Sequence, residues 1–343
     1  MKDLIKKILK FFVFASLGFL MLWLVYRKQD ITTIWQGVKQ AKMAGVFVAL
    51  GLGLLSHLSR AIRWNLLMEP LGYKPRKTTS FLSILIMYLT NFAFPRSGEV
   101  VRCAFVNRYE KVPFTGLLGT VLIERIFDTL ILLLLSIFVA ITNISGVKDF
   151  FANNPAAKAR FENFLNSKWT ITIAIFFVVL FVFAIYLLRN KIKQTKIYQK
   201  FEKILKDFAE GFKSLWKMKR KWEFIAHSVF IWLMYWLMLY AMFFAFDYTK
   251  QLTLMQSLTL LVLSSFGMLV PSPGGIGSWH FMTIETLFVF GIDKTKGGIF
   301  AIVAHESQMI MLVFVGLLAL LGASFIKPQN SNIKPQNIIE NEQ

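Results

Sequence analysis

The chain alternates between long apolar runs and short polar, mostly basic links. An apolar run needs about 20 residues to cross a bilayer as a helix. Six runs approach or exceed that length: Ile8–Tyr26, Ala44–Asn65, Phe114–Ile141, Trp169–Leu188, Trp222–Phe246 and Gly298–Ile326. Two more regions, Thr79–Asn107 and Leu252–Ile292, are apolar but interrupted. The first is broken by Pro95 and Gly98, the second by Pro271, Pro273, Gly274, Gly275 and Gly277. Such residues do not continue a helix. Each half is then short, so each region is predicted to be a re-entrant helical hairpin. A helix broken at bilayer depth is tolerated only where protein or a wet cavity surrounds the break.

The order helix, helix, hairpin, helix occurs twice, over about residues 1–145 and 165–326. Paired interruptions in two halves point to a transporter's binding site. The predicted fold is all-α: one polytopic transmembrane domain over 1–326, with six spanning helices and two re-entrant hairpins in an inverted repeat. The polar tail 327–343, rich in Asn, Gln and Lys, reads as disordered.

Charge orients the chain. Cytoplasmic loops carry the excess of Lys and Arg. Lys2, Lys6, Lys7 and Lys10 put the N-terminus inside; no small-x-small cleavage site precedes Arg27, so the first helix is expected to be retained. Lys74, Arg76 and Lys77, then Arg108 and Lys111, then the dense block from Arg189 to Lys221, also fall inside, as does Lys327. The links Asp247–Lys250 and Asp293–Lys296 fall outside. Within 190–221, apolar Phe201, Leu205, Phe208, Phe212 and Trp216 recur at helical spacing among lysines. This is predicted to be an amphipathic helix on the anionic cytoplasmic leaflet. The location expected is a cell membrane, with both termini cytoplasmic.

Composition agrees. Of 343 residues, 56% are hydrophobic and 17% charged; soluble domains carry about 25% charge. The net charge of +20 reads as topology and lipid contact, not nucleic-acid binding. The single cysteine, Cys103, excludes an internal disulfide and a Cys-based metal cluster.

Charges at membrane depth are the candidate chemistry, because each costs at least ~2.5 kcal/mol at a helix centre. Glu99 and Arg102 sit three apart on the second arm of the first hairpin and are expected to meet on one face. Glu124 and Asp128 share a face, with Arg125 a quarter turn away. Arg60 and Arg63 close the second helix; taken alone, they read as side chains that snorkel to the interface. A half-helix starting after Pro95 or Pro273 offers unsatisfied N–H groups and a positive dipole end. With Arg96, Arg102 and Arg125, these would hold a phosphate, and Glu99, Glu124 and Asp128 would balance the arginines or meet an amine. The glycine run lacks the lysine of a nucleotide loop. The four histidines show no metal-ligand spacing, so neither metal nor cofactor is expected, and Ser272 or Ser278 near His280 lacks a nucleophile elbow.

The series Asn91, Pro95, Gly98, Glu99, Arg102, then Glu124, Arg125, Asp128, then Pro271, Pro273, Gly274, Gly275, Gly277 resembles the membrane-domain family of the lysylphosphatidylglycerol synthetases, also called flippase-like proteins. Arg60, Arg63 and Trp64 fit the same pattern, and the resemblance covers about residues 5 to 326. It implies a membrane protein that moves polar lipids between leaflets. The cytoplasmic aminoacyltransferase domain of the two-domain synthetases is not expected in a chain stopping at Gln343. The match departs at His280, where an acidic residue is expected. The headgroup site is thus sought among these arginines, acids and break residues, together with His280 and His305. The partner expected is a membrane phospholipid or lipid-linked substrate. The alternative is a membrane component or partner of a lipid- or glycolipid-modifying transferase.

Overall fold

The computed structural model describes residues 16, 20–27, 29–94, 97–142, 218–270 and 272–328. Most of Ile8–Tyr26, all of Trp169–Leu188, the basic helix predicted over 190–221 apart from its last four residues, and nearly all of the tail lie outside the described residues. So do Pro95, Arg96 and Pro271. The chain divides into two compact units, Met1–Ser136 with Lys219–Gln343, and Ile137–Met218. Both Pro/Gly breaks lie in the first unit.

Among the described residues every regular element is helical: α1 (Ile31–Lys39), α2 (Met43–Met68), α3 (Lys77–Ala93), α4 (Gly98–Glu110), α5 (Phe114–Thr142), α6 (Lys221–Phe243), α7 (Leu254–Gly267), α8 (Ser278–Val289) and α9 (Lys294–Ala323). Four segments, Met43–Leu71, α5, α6 and α9, are long and apolar enough to cross a membrane. They coincide with four of the six runs read from the sequence. Their starts are chemically marked. Asp30 accepts the Thr32 and Thr33 amides at 3.2 and 3.0 Å before α1. Asp293 accepts the Thr295 amide at 2.8 Å before α9. Thr253 and Gln256 form a reciprocal cap on α7. Each satisfies N–H groups that a helix start leaves unpaired.

Helices α2 and α6 form the central antiparallel pair. At one end the Lys42 amide donates to the Ala245 carbonyl at 2.8 Å, and Lys42 Nζ meets Asp247 at 2.7 Å. At the other, Ser59 Oγ lies 2.8 Å from His227 Nδ1. The approach is close because Gly45 has no side chain: a Cβ there would sit 2.9 Å from the Ala241 carbonyl oxygen and the Ala245 amide.

Helices α3 and α4 form a helical hairpin. The start of α3 lies beside the end of α4, where Glu110 Oε1 accepts from Thr79 Oγ1 at 2.5 Å and from Arg76 Nε at 2.7 Å. Leu85 and Ile86 pack with Val101 and Phe105 along the arms, and with Ala319 and Ala323 of α9. The outer stripe of α9, Ile310, Phe314, Leu317 and Leu321, is exposed; its spacing of four, three and four defines one helix face, suited to lipid. A second hairpin joins α7 to α8, with Gly267 packed against the backbone of Ser278 and Trp279. Its turn takes Gly274, Gly275 and Gly277 through φ of 59, 80 and 84°, the left-handed region that favours glycine.

The ends of the unit separate the charged links. Glu69 meets Arg220, Arg76 meets Glu110, and Arg76 Nη2 donates to the Lys327 carbonyl at 3.0 Å. Lys42 and Asp247 pair elsewhere, and Tyr248 Oη donates to the Lys296 carbonyl at 3.1 Å.

Candidate functional site

The charges predicted at depth come together as a network. Arg60 and Arg63 project from α2, and Glu124 and Asp128, one turn apart, from α5. Arg63 Nη1 donates to Asp128 Oδ1 at 2.7 Å and Nη2 to Glu124 Oε1 at 3.3 Å. Arg60 Nη1 reaches Asp128 Oδ2 at 3.1 Å. From the first hairpin, Arg102 Nη2 donates to Glu124 Oε2 at 2.5 Å. Three guanidiniums thus share two carboxylates. Arg63, Arg102 and Glu124 are fully buried. Arg60 and Arg63 therefore do not snorkel, which corrects the reading of them taken alone; the carboxylates one helix away hold them inside.

Two more groups frame the network. The Arg102 guanidinium lies 4.5 Å from the centre of the Trp64 ring, a cation–π contact. Trp64 Nε1 donates to Thr120 at 2.8 Å. The expected Glu99–Arg102 pair is not formed. Glu99 instead accepts from Arg125 Nη2 at 2.6 Å, in a pair that stays partly exposed.

Beside the network lies a cavity of about 390 Å³ at which the two breaks meet, within the range of small-molecule sites. Asn91 and Tyr88 reach it from the first hairpin, and Met268, Gly274 and Trp279 from the second. Arg60, Arg125 and Asp128 bring charge, and His305 and Gln308 come from α9. Three lining residues carry buried polar atoms without a partner: both ring nitrogens of His57, Nε of Arg60 and Nε1 of Trp232. Such atoms are costly unless a ligand or water completes them.

The sequence-predicted site residues divide accordingly. Arg60, Asn91, Arg125, Asp128, Gly274 and His305 line the cavity; Arg63, Arg102 and Glu124 form the support behind it. Gly98 does not present a free amide: its N–H donates to Asn91 Oδ1 at 2.8 Å, and a Cβ there would lie 2.8 Å from Asn91 Cγ. Pro273 and Gly275 belong to a short 3-10 turn, with Gly277 just before α8. The Gly275 amide is likewise taken, by the Ser272 carbonyl at 3.2 Å. His280 lies next to His305, with ring centres 4.7 Å apart.

Of the residues lining the cavity, sequence reasoning missed His57, Tyr88, Trp232, Tyr235 and Trp279. His57 carried a signal, standing one turn before Arg60 on the same helix face. The aromatics carried none, since rings in apolar runs read equally well as lipid-facing.

Helices of spanning length, an exposed apolar stripe and a buried charged network beside a largely apolar cavity with a few charged residues in its wall define an α-helical integral membrane protein. Within that class the chain belongs to the family described as the lysylphosphatidylglycerol synthase TM region, whose model matches residues 7–316. It is 24% identical over 299 residues to the UPF0104 membrane protein MJ1595 of Methanocaldococcus jannaschii, covering 80% of this chain and 84% of that one. No solved structure matches.

Proposed function

We propose that this protein carries a polar phospholipid between the leaflets of a cell membrane, its headgroup passing through the cavity between the two breaks. The observation that supports this most is the cavity itself: charged and unpaired polar atoms gather at one place among apolar helices. The lipid's tails stay in the bilayer beside the groove. Arg125 and Arg60 meet the phosphate, Asp128 and Glu99 balance them or receive an amine, and His57 and Asn91 complete the polar wall. The family's description names a lipid with a phosphate and an amino-bearing headgroup, which suits a wall of both signs.

In this reading the six runs span, the two hairpins are re-entrant, and the halves form an inverted repeat with both termini cytoplasmic. The antiparallel packing of α2 on α6, the corresponding helices of the two halves, supports the inversion. The links expected inside meet one another (Glu69 with Arg220, Arg76 with Glu110 and Lys327), as do the two expected outside (Tyr248 with Lys296). The basic stretch 190–221 holds anionic lipid at the cytoplasmic surface.

The test is transport by purified protein in defined liposomes containing a panel of labelled lipids, with quenching from outside. Faster exchange of phospholipid than in empty liposomes is expected. Exchange no faster than in empty liposomes for any lipid, together with an altered lipid species when the gene is expressed in cells, would replace this reading by that of a partner to a lipid-modifying transferase.

A further inference from the structure

The second break holds a group of side chains that lipid recognition leaves unexplained. His305 Nε2 lies 2.9 Å from the Gly274 carbonyl oxygen. Only an N–H can bond a carbonyl, so in a neutral ring Nε2 carries the hydrogen and Nδ1 is a bare lone pair. That Nδ1 faces Glu306 Oε1 at 3.1 Å. Two acceptors at hydrogen-bond distance repel unless a cation sits between them. His280 Nε2 points at the same oxygen from 3.6 Å, is fully buried and has no partner. The three ligand atoms lie within 4.8 Å of one another.

We propose that His280 Nε2, His305 Nδ1 and a Glu306 carboxylate oxygen bind one divalent transition-metal ion of the zinc class. Bonds of about 2.0–2.1 Å in a tetrahedral arrangement place ligand atoms about 3.3–3.4 Å apart. The observed 3.1 and 3.6 Å bracket that separation. Two imidazoles and one carboxylate suit zinc or its neighbours; calcium and magnesium prefer oxygen alone. The His305–Gly274 bond is the outer-shell contact that fixes a ligating imidazole's tautomer. Glu306 keeps 41% of its side chain exposed, which leaves an open side for a fourth ligand.

Binding has a structural consequence. His280 Nδ1 receives the Gly277 N–H over a long 3.4 Å. A metal on Nε2 requires a hydrogen on Nδ1, so the ring must turn away from that amide. Gly277 immediately precedes α8, so loading reshapes the second break. A proton shared by His305 and Glu306 is the rival. It would relieve the same repulsion, yet it leaves His280 Nε2 without a partner at hydrogen-bonding distance.

The experiment uses the full-length protein, purified in detergent and stripped with a chelator. Cobalt(II) is added while its visible absorption is followed, and zinc is titrated by calorimetry. One equivalent should bind, with the intense cobalt bands of a tetrahedral N/O site. Changing an outer-shell partner alone weakens metal affinity by about 10–100-fold, so His305→Ala, His280→Ala and Glu306→Gln should each weaken it at least that much. His227→Ala, remote from the three ligands, should bind as the parent does. Size-exclusion profiles without metal show whether each variant is folded; if the alanine variants are not, His280→Gln and the parent's own cobalt spectrum decide. No saturable binding by the parent overturns the proposal. So does parent-like affinity in folded His280 and His305 variants, or uptake of one proton, lost in His305→Ala, with no metal bound. The assay is independent of transport, so a metal-binding protein that moves no lipid would leave this inference standing and remove the other.

Discussion

Arg102 of the first hairpin donates to Glu124 of α5 across 2.5 Å, and neither side chain has any exposed surface. This pair ties the first hairpin to a helix of spanning length inside a low-dielectric core. A buried ion pair is not by itself strongly stabilising, but stripping one partner leaves the other charged and stranded, at about 3–5 kcal/mol. Glu124→Met should therefore sharply lower the fraction surviving a heat step before fluorescence-detected size exclusion. Adding Arg102→Met should recover part of the loss, because Arg63 still has Asp128. A double variant no better than Glu124→Met would show that the pair carries no such coupling.

Arg125 should behave oppositely. Its pair with Glu99 is partly exposed, and such pairs contribute little to folding. A charged hydrogen bond to a phosphate contributes about 1.5–3 kcal/mol. Arg125→Ala should leave the melting temperature near the parent's and weaken lipid affinity roughly tenfold to hundredfold. Liposome transport at several lipid concentrations checks this; unchanged transport would take Arg125 off the lipid path.

Gly98 tests the first break. A Cβ there would press on Asn91 and on the Met87 carbonyl oxygen. Gly98→Ala should force the arms apart, cost about 1–3 kcal/mol as overpacking does, and disturb Asn91 at the cavity. The measurements are thermal stability and transport; a parent-like variant in both would mean that the turn yields freely.

Topology is open to labelling. In a Cys103→Ser background, single cysteines at Ser145 and Lys250 should react with an impermeant maleimide from outside. One at Lys206 should react only after permeabilisation. Outside labelling at Lys206 would overturn the proposed orientation.

One pH effect has a defined sign. Hydrogen bonds from Lys250, then Lys42, hold the Asp247 carboxyl down to about 2. The ordinary aspartate value is about 3.9, so the contribution is complete above that and is lost as pH falls toward 2. The melting temperature should fall over this window slightly less in Asp247→Asn than in the parent. The effect is small because the group is exposed, and identical profiles would remove it.

The four spanning-length helices were legible to within a few residues, because their length is written directly as apolar run length. The breaks were legible because Pro and Gly state a local conformational rule. Partner choice was not. Three-residue spacing put Glu99 and Arg102 on one face, but spacing does not say which helices flank that face. Packing of the hairpin against α5 sends Arg102 to Glu124 and leaves Glu99 to Arg125. His280 and His305 likewise have no ligand spacing along the chain. They meet because the chain reverses at Gly291 and folds α9 back along α8, with Lys294 against Glu285 and Gly297 against Ile284.

The shared carboxylates also set a problem of timing. Arg63 finds Asp128 only 65 residues later in the chain. At about 5–20 residues per second, synthesis takes roughly 3–13 s to cover that distance. Through that interval α2 has made both its arginines while the acids that neutralise them do not yet exist. Each uncompensated arginine opposes insertion, by at most about 2.5–3.5 kcal/mol, the figure for a helix centre. Helix α2 therefore has both its arginines neutralised only once α5 is in place.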